Sequence, residues 1–364
     1  MILTRPTTKA MLEALRASLW GKVPNVVFFE NLSVRDWQEV FQMSIHQTVE
    51  AMVATAVQQL PEHLLPPAEI MFKWLVRVDR VQRKNAKMEK AIAQQYDLFQ
   101  QNGLRCVLQK GHGVSTYYDD PSLRTSGDID WFFPFKEDFA DAQHLVSENQ
   151  GALLSKNKYS CGFKWWGFEV EHHRRIIQLR NPFIQSFVED FVNEELKQPI
   201  RRTFANIPVE IPSDLLNIVQ VNAHILKHQV TYGIGLRQLC DACRLYYSFG
   251  KQLDHDRLKD VYAKLGMLKW THLLHRMLVD LFHLPEDYLP FPIRPYNGAE
   301  WMIDHILRTG NFGFFDPLHP DQNNPGGRVD RPERLFQNFR RFLGVAPMEA
   351  ISFPFYQMYI KSFK

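Results

Sequence analysis

Hydrophobic residues along this chain follow a helical period at both ends and a strand period in the middle. Pro6 to Leu19 reads as one helix. From Val34 to Gln59, Trp37, Val40, Phe41, Met43, Val49, Met52 and Val53 recur at helical spacing until Pro61 and Pro66-Pro67 stop the run, which predicts one long helix. Ala68 to Asn102 is a third helical stretch, rich in Lys, Arg, Glu and Gln, with Met71, Trp74, Leu75 and Val78 as its apolar stripe. At Leu104 the period changes. Leu104–Leu108 reads as a short buried strand, and a helical stretch opens at Gly111 and continues through Tyr118. Asp128 begins an alternating apolar run, Lys136–Glu148 is helical, and strands follow near Leu153 and over Phe163–His173. Trp165-Trp166-Gly167 looks like the turn of a hairpin within the last of these. Residues 179–364 return to helix. The clearest part runs from Pro212-Ser213-Asp214 to Tyr247, with Ser213 or Asp214 as N-cap and Leu216, Val219, Ala223 and Leu226 as its stripe.

The pattern predicts an α+β protein, a small mixed sheet flanked by extensive N- and C-terminal helical regions. Three parts follow: a helical region over 1–102, a core over 103–178 and a second helical region over 179–364. A chain of 364 residues exceeds the usual size of a single core, which agrees with several packed regions. Composition changes this picture little. A hydrophobic share of 45% and a charged share of 23% are those of an ordinary globular protein. A net charge of +3 gives no electrostatic footprint for nucleic acid. No run of residues is long and apolar enough to suggest a membrane span, and Met-Ile-Leu-Thr-Arg-Pro lacks the apolar core of a secretory signal. Four cysteines do not make a disulfide scaffold at this length, so a cytoplasmic protein is expected.

The chemistry concentrates in residues 108–133. Asp128 and Asp130 are two apart at the start of a strand, so both carboxylates share a face while Ile129 and Phe133 point the other way. Two like charges on one face repel unless a cation lies between them, and hard divalent ions such as Mg²⁺ are held by such pairs together with substrate phosphates. Upstream, Lys110-Gly111 sits at a strand-to-helix junction. Glycine there lets backbone N–H groups approach a phosphate, and the lysine adds positive charge. Arg124, Ser126 and Gly127 make a polar turn into the acidic pair, with Gly127 supplying backbone freedom. Taken singly these features have plain readings. Lys110 could be a surface charge, and Arg124 could pair with Asp119 or Asp120.

Lys110-Gly111 followed by Asp120-Pro121-x-x-Arg124-x-Ser126-Gly127-Asp128-Ile129-Asp130 resembles the little-characterised bacterial nucleotidyltransferase family of the DNA polymerase β-like superfamily. The His-x-x-x-His pattern at His224 and His228, with Leu236-Arg237-x-Leu239-x-Asp241, is similar to the helical region after that family's core, so the resemblance spans roughly residues 70–250. The chain departs from the wider superfamily in having Lys110-Gly111-His112-Gly113 where many relatives have Gly-Ser, and Trp131 after the second aspartate. The resemblance implies a third acid on a later strand. In Phe163–His173, Glu169, Glu171 and His173 share one face and Phe168, Val170 and His172 the other. Glu171-His172-His173 matches the family's acid-x-His pattern and makes Glu171 the expected third acid, with Glu169 the alternative.

The activity implied is transfer of a nucleoside monophosphate from a nucleoside triphosphate to a hydroxyl acceptor, a small molecule or a protein, with release of pyrophosphate. Asp128, Asp130 and Glu171 would be catalytic and would hold two Mg²⁺ ions. Lys110, Gly111, Arg124, Ser126 and Gly127 would bind the nucleotide, and His173 would support the acids or meet the substrate. The alternative is a nucleotide-binding or regulatory protein on the same fold without turnover, such as a toxin–antitoxin component. A nucleic-acid-directed transferase is the third class, disfavoured by the near-neutral charge.

Other motifs compete for attention. His224/His228 and Cys240/Cys243 have zinc-like spacings, yet both pairs sit in helical context where buried thiols and imidazoles are common. His224, His228, Arg237 and Asp241 could instead line an acceptor pocket or knit two helices together. The Gly310–Arg328 segment, dense in Gly, Pro and Asn, reads as a long loop, either a connector or a lid. Arg331, Arg334, Arg340 and Arg341 after it read most simply as a solvated basic face.

Overall fold

A computed structural model describes residues 2–293, 298–316 and 339–361 of the chain. It is α+β, with a five-stranded mixed sheet, a two-stranded hairpin and many helices. Two compact units emerge. One gathers Met1–Val78, Leu179–Ser186 and Val221–Lys364; the other gathers Asp79–Gln178 and Phe187–Gln220. The second unit therefore takes in more than the 103–178 core expected from the sequence.

The sheet unit holds β1 (Val107–Gln109), β2 (Ile129–Phe132), β3 (Ala152–Lys156), β4 (Ser160–Trp165) and β5 (Phe168–His173), in the spatial order β1-β2-β5-β4-β3. All neighbours are antiparallel except β2 and β5, which run parallel and pair Asp130 with Glu171 and Trp131 with His172. A parallel pair needs a crossover, and the chain supplies one through α6 (Lys136–Glu148), β3 and β4. The β4–β5 turn is the expected hairpin: Trp166 and Gly167 lie at φ 47° and 83°, as a two-residue primed turn requires. Strand β3 forms one edge and is exposed along its whole length.

One face of this sheet is a core. Trp131 and His172 point into it, and α4 (Ala68–Gln101) covers it from residue 79 on. Phe99 sits edge-on to Trp131 and Phe133 and near Trp165, while Gln95 Oε1 accepts a hydrogen bond from Trp131 Nε1 at 2.8 Å. The indole can be buried there because its one donor is matched.

The expectation that residues 179–364 are helical throughout fails at one place. After α7 (Gln185–Glu195), β6 (Ile200–Phe204) and β7 (Ile207–Ile211) form an antiparallel hairpin, closed by Ala205 and Asn206 at φ 42° and 72°. The period-2 burial of Phe204, Val209 and Ile211 was present in the sequence, but short strands between helices give a weak signal.

The helical unit corrects one further boundary. The single helix expected over Val34–Gln59 is two, α2 (Val34–His46) and α3 (Glu50–Val57). Between them Thr48 turns to φ 55°, and the buried Gln47 amide donates to Ile306 O and Leu307 O and accepts from Leu236 N. That fully matched side chain fixes the break, and no local propensity announces it. The stretch from Pro212 to Tyr247 holds two helices, α8 (Asp214–Thr231) and α9 (Leu236–Phe249), parted near Gly233 at φ 101°. Ser213 caps α8, its Oγ accepting from Leu216 N at 3.2 Å. Helices α10 (His255–Lys264), α11 (Leu268–Phe282) and α12 (Ala299–Thr309) and a C-terminal helix, Pro347–Lys361, complete the described part of this unit. Of the Gly310–Arg328 loop, residues 317–328 lie outside the described part, as do Arg331 and Arg334. No described helix is long and apolar enough to cross a membrane.

Candidate active site

The site lies in the sheet unit, on the face opposite Trp131. The register of β2 against β5 puts Asp130 and Glu171 side by side, and His173 follows one rung on. His173 Nε2 meets Asp130 Oδ1 at 2.8 Å and Glu171 Oε2 at 3.2 Å. Lys110 Nζ reaches the same Asp130 oxygen at 3.1 Å. Asp130 and His173 are buried, whereas the Glu171 side chain is 45% exposed and so open to a ligand. Gln178 Nε2 lies 3.1 Å from His173 Nδ1. With the amide donating, the ring proton sits on Nε2 between the carboxylates. Turning the Gln178 amide over would place the proton on Nδ1 and free Nε2 for a metal.

Electrostatics follows from this crowding. Burial works against ionising Asp130, but Lys110 and the His173 hydrogen bond overcome it and hold its carboxyl below the usual range. The His173 hydrogen bond likewise lowers Glu171. Lys110 is raised despite burial, because Asp130, Glu171 and Asp128 all favour its charge. Asp128 behaves in the opposite way: the negative charge of Asp130, then burial, then Glu171, push it up to about 6. The cluster thus holds more carboxylate than its lysine neutralises. Oxygen donors with excess negative charge suit a hard divalent cation. One ligand atom each from Asp130, Glu171 and His173 lie within 4.8 Å of one another, close enough to share an ion.

A family model described as an uncharacterised nucleotidyltransferase matches residues 33–283. The chain belongs to that family. Comparison with curated proteins and with solved structures finds no match. The match begins in the N-terminal helices and runs to the end of α11, well beyond the motif region.

In this member of the family the expected residues are placed unevenly. Lys110, Asp130 and Glu171 come together. Glu169, the alternative third acid, is exposed and opposes Lys164 on the far strand, so the register favours Glu171. Asp128 lies just before β2, partly buried, and is not within the group formed by Asp130, Glu171 and His173. Lys110 and Gly111 do form the tight junction before α5 (Gly111–Ser115). Lys110 itself takes φ 51° and ψ −149°, a region few side chains occupy, and Gly111 follows at φ 35°. Gly127 shows no such need: its φ is not positive, and a Cβ there would meet nothing within 4 Å. The backbone freedom assigned to Gly127 belongs instead to the Lys110–Gly111 step.

Arg124 and Ser126 are buried. Ser126 Oγ accepts from Arg124 Nη1 at 3.3 Å and lies 3.1 Å from His112 Nδ1. Burial, then the charges of Arg124 and Lys84, push His112 down to about 3, so the imidazole is neutral. Sequence reasoning missed three supports. His112 holds Ser126, while Lys84 donates to Ser126 O and Gly127 O, and Asn85 donates to Ser122 O and Arg124 O. Lys84 and Asn85 stand on α4 about 40 residues upstream, where they look like members of a polar helix face. The zinc-like pairs assemble nothing comparable among the described residues: Cys240 and Cys243 are buried, burial raises the Cys243 thiol, and the His224 and His228 rings pack edge to face at 4.3 Å.

Proposed function

We propose that this chain is a Mg²⁺-dependent nucleotidyltransferase that moves a nucleoside monophosphate from a nucleoside triphosphate to a hydroxyl acceptor. The observation that carries the reading is the side-by-side placement of Asp130 and Glu171 on parallel strands, with Asp128 held near pH 6 by their charge. Asp128, Asp130 and Glu171 would hold the metal, two ions in the form the family resemblance implies. Bound there, magnesium supplies positive charge to the phosphate oxygens and acidifies the acceptor hydroxyl.

The chain's own residues do the rest. The acceptor oxygen forms a bond to the α-phosphorus, the bond from that phosphorus to the α–β bridging oxygen breaks, and pyrophosphate leaves. Glu171, ionised and half exposed, takes the hydroxyl proton. Lys110, next to Asp130, provides a cation for a phosphate oxygen. The Gly111 junction gives the backbone room to approach the phosphates, and the Lys84 bonds to Ser126 O and Gly127 O hold the loop that leads into Asp128. Arg124 and Ser126, turned toward His112, reach a phosphate only if that buried group opens.

One observation favours binding without turnover: Asp130 Oδ1 already has two partners, Lys110 and His173, so the site is partly neutralised by its own side chains. Calorimetric titration with each nucleoside triphosphate, with and without Mg²⁺, tests the reading against an Asp128→Asn/Asp130→Asn protein. Binding that needs Mg²⁺ and disappears in the double variant is the expected result. A folded wild-type protein that binds no nucleotide, or a double variant that binds as well as wild type, overturns it. Release of pyrophosphate in an acceptor screen then separates an enzyme from a binding protein.

A further inference from the structure

Two consecutive histidines on β5 meet different surroundings. His172 turns into the core among the rings of Phe99, Phe133 and Phe163, and neither of its ring nitrogens has a hydrogen-bond partner. His173 turns to the opposite face, is also buried, and has both nitrogens engaged. Nε2 lies 2.8 Å from Asp130 Oδ1 and 3.2 Å from Glu171 Oε2, while Nδ1 lies 3.1 Å from Gln178 Nε2. All four residues belong to the sheet unit.

Nε2 carries at most one proton, and one proton serves one carboxylate. The other oxygen then faces a nitrogen with nothing left to donate. Asp128, which feels the charge of both acids, adds to the surplus of carboxylate. A proton therefore fits these three atoms poorly, whereas a divalent cation binds all three at once. Two ligands about 2.1 Å from an octahedral ion stand about 3 Å apart, which is the spacing of Nε2 from either carboxylate. The far nitrogen supports the same reading. A ligating histidine almost always donates its other N–H to an oxygen that fixes the ring. The Gln178 carboxamide stands in that place. Rotating it by half a turn presents Oε1 to Nδ1–H, at the loss of the long 3.4 Å bond from Nε2 to Arg175 O. The half-exposed Glu171 leaves an entry path for the ion.

We infer that His173 is the nitrogen ligand of a metal site completed by Asp130 and Glu171, that Gln178 is its positioning residue, and that this site takes a divalent transition-metal ion of the manganese type in preference to Mg²⁺. The inference rests on the function proposed above and assigns the chemical class of one of its ions. Magnesium is a hard ion that favours oxygen, and an imidazole nitrogen beside two carboxylates suits first-row transition ions better. Asp128 and the phosphate oxygens are left to hold Mg²⁺ that arrives with the triphosphate.

The test uses the whole chain, freed of metal, with Mn²⁺ as the probe. Calorimetry compares Mn²⁺ with Mg²⁺, with and without a non-hydrolysable nucleoside triphosphate. Pulsed electron paramagnetic resonance reads nitrogen coupling to bound Mn²⁺, and isotopically labelled histidine identifies its source. Wild type is expected to bind Mn²⁺ at least about tenfold more tightly than Mg²⁺ and to show coupling to a histidine nitrogen. His173→Gln is expected to lose that coupling and to bind Mn²⁺ about tenfold or more weakly. Gln178→Met should weaken Mn²⁺ binding by about tenfold, and Gln178→Glu, whose carboxylate accepts from Nδ1–H, should restore it. Failure of Gln178→Glu to restore binding overturns the role given to Gln178. Wild type that binds Mn²⁺ without nitrogen coupling, or that binds Mg²⁺ as tightly, overturns the inference and leaves a carboxylate metal site standing. Coupling that survives in folded His173→Gln does the same. Wild type that binds neither ion, with or without the nucleotide, overturns both the inference and the function it rests on. If His173→Gln does not fold, His173→Asn carries the same comparison.

Discussion

Two buried polar clusters, one in each unit, show what this chain does with polar groups in its interior. In the helical unit Asn222, Tyr246, Tyr262 and His275 form a neutral knot. The two tyrosine hydroxyls are 2.9 Å apart, His275 Nε2 reaches Tyr246 at 2.8 Å, and Asn222 donates to both tyrosines. Burial pushes His275 down to about 3 and raises both tyrosines, so every member is uncharged at neutral pH. In the sheet unit Lys110, Asp130, Glu171 and His173 form a charged cluster with a surplus carboxylate at Asp128 and a strained backbone at Lys110. The first knot is uncharged and serves packing, with His275 Nδ1 its one leftover atom. The second is left incomplete, and incompleteness of that kind is what a ligand can relieve.

The sharpest way to break this contrast is Asp130→Asn. If the charged cluster is the metal–phosphate site, Mg²⁺-dependent nucleotide binding falls by about a hundredfold or more, since even residues that only support a metal ligand cost up to that much. Calorimetry reads it directly, and binding within a few fold of wild type would make the cluster structural like its counterpart.

Next in size is the pH dependence. Asp128 titrates near 6, above an ordinary aspartate, so the folded chain holds this proton more tightly than the unfolded one. Its stabilising effect is complete below about pH 4 and is lost as pH rises through about 6. Asp130 and Glu171 are shifted the other way, and their contributions are lost only as pH falls below the ordinary carboxylate range. The window between pH 4 and 6 therefore isolates Asp128. Metal must displace its proton, so Mg²⁺ affinity is expected to rise with pH up to about tenfold per unit below 6 and to level off above. Titrations at pH 5 and 7, repeated on Asp128→Asn, check this; equal slopes in the two proteins would remove Asp128 from the site.

A smaller effect belongs to the neutral knot. Tyr246→Phe strips a hydroxyl that serves Asn222, Tyr262 and His275, and should cost about 1–3 kcal/mol in unfolding experiments while leaving nucleotide binding unchanged. The smallest is Glu169→Gln. Exposed and facing Lys164, it should change stability by no more than about 0.5 kcal/mol and leave Mg²⁺ binding as it is. A large loss of Mg²⁺ binding there would reverse the choice of third acid.

The two clusters were also unequally legible in the sequence. Helices α1 (Pro6–Leu19) and α6 start and stop where the pattern puts them, because proline and the apolar period act locally. Lys110, Asp130 and Glu171 could be read because strand parity and family spacing carry through to the sheet. His173 was visible only as a neighbour of Glu171; its contact with Asp130 depends on the parallel register of two strands some 40 residues apart, which no local pattern encodes. Lys84, Asn85 and His112 were invisible for the same reason. The break at Gln47 shows the same limit, since its partners near Ile306 and Leu236 are distant in sequence. The neutral knot had no sequence signature at all: tyrosine, asparagine and histidine on apolar helices look alike whether or not they meet.

Strand β3 has a practical consequence for anyone handling this protein at high concentration. It is an edge strand with Leu153 and Leu154 turned out to solvent at 59% and 56% exposure, and its outer backbone groups are unpaired within the sheet. Such an edge is a template on which another chain can add a strand, and a nearby charge such as Lys156 is the usual guard against it. Colloidal behaviour is therefore set on the flank of the sheet farthest from β1, and a lysine in place of Leu154 would improve solubility three strands away from Asp130.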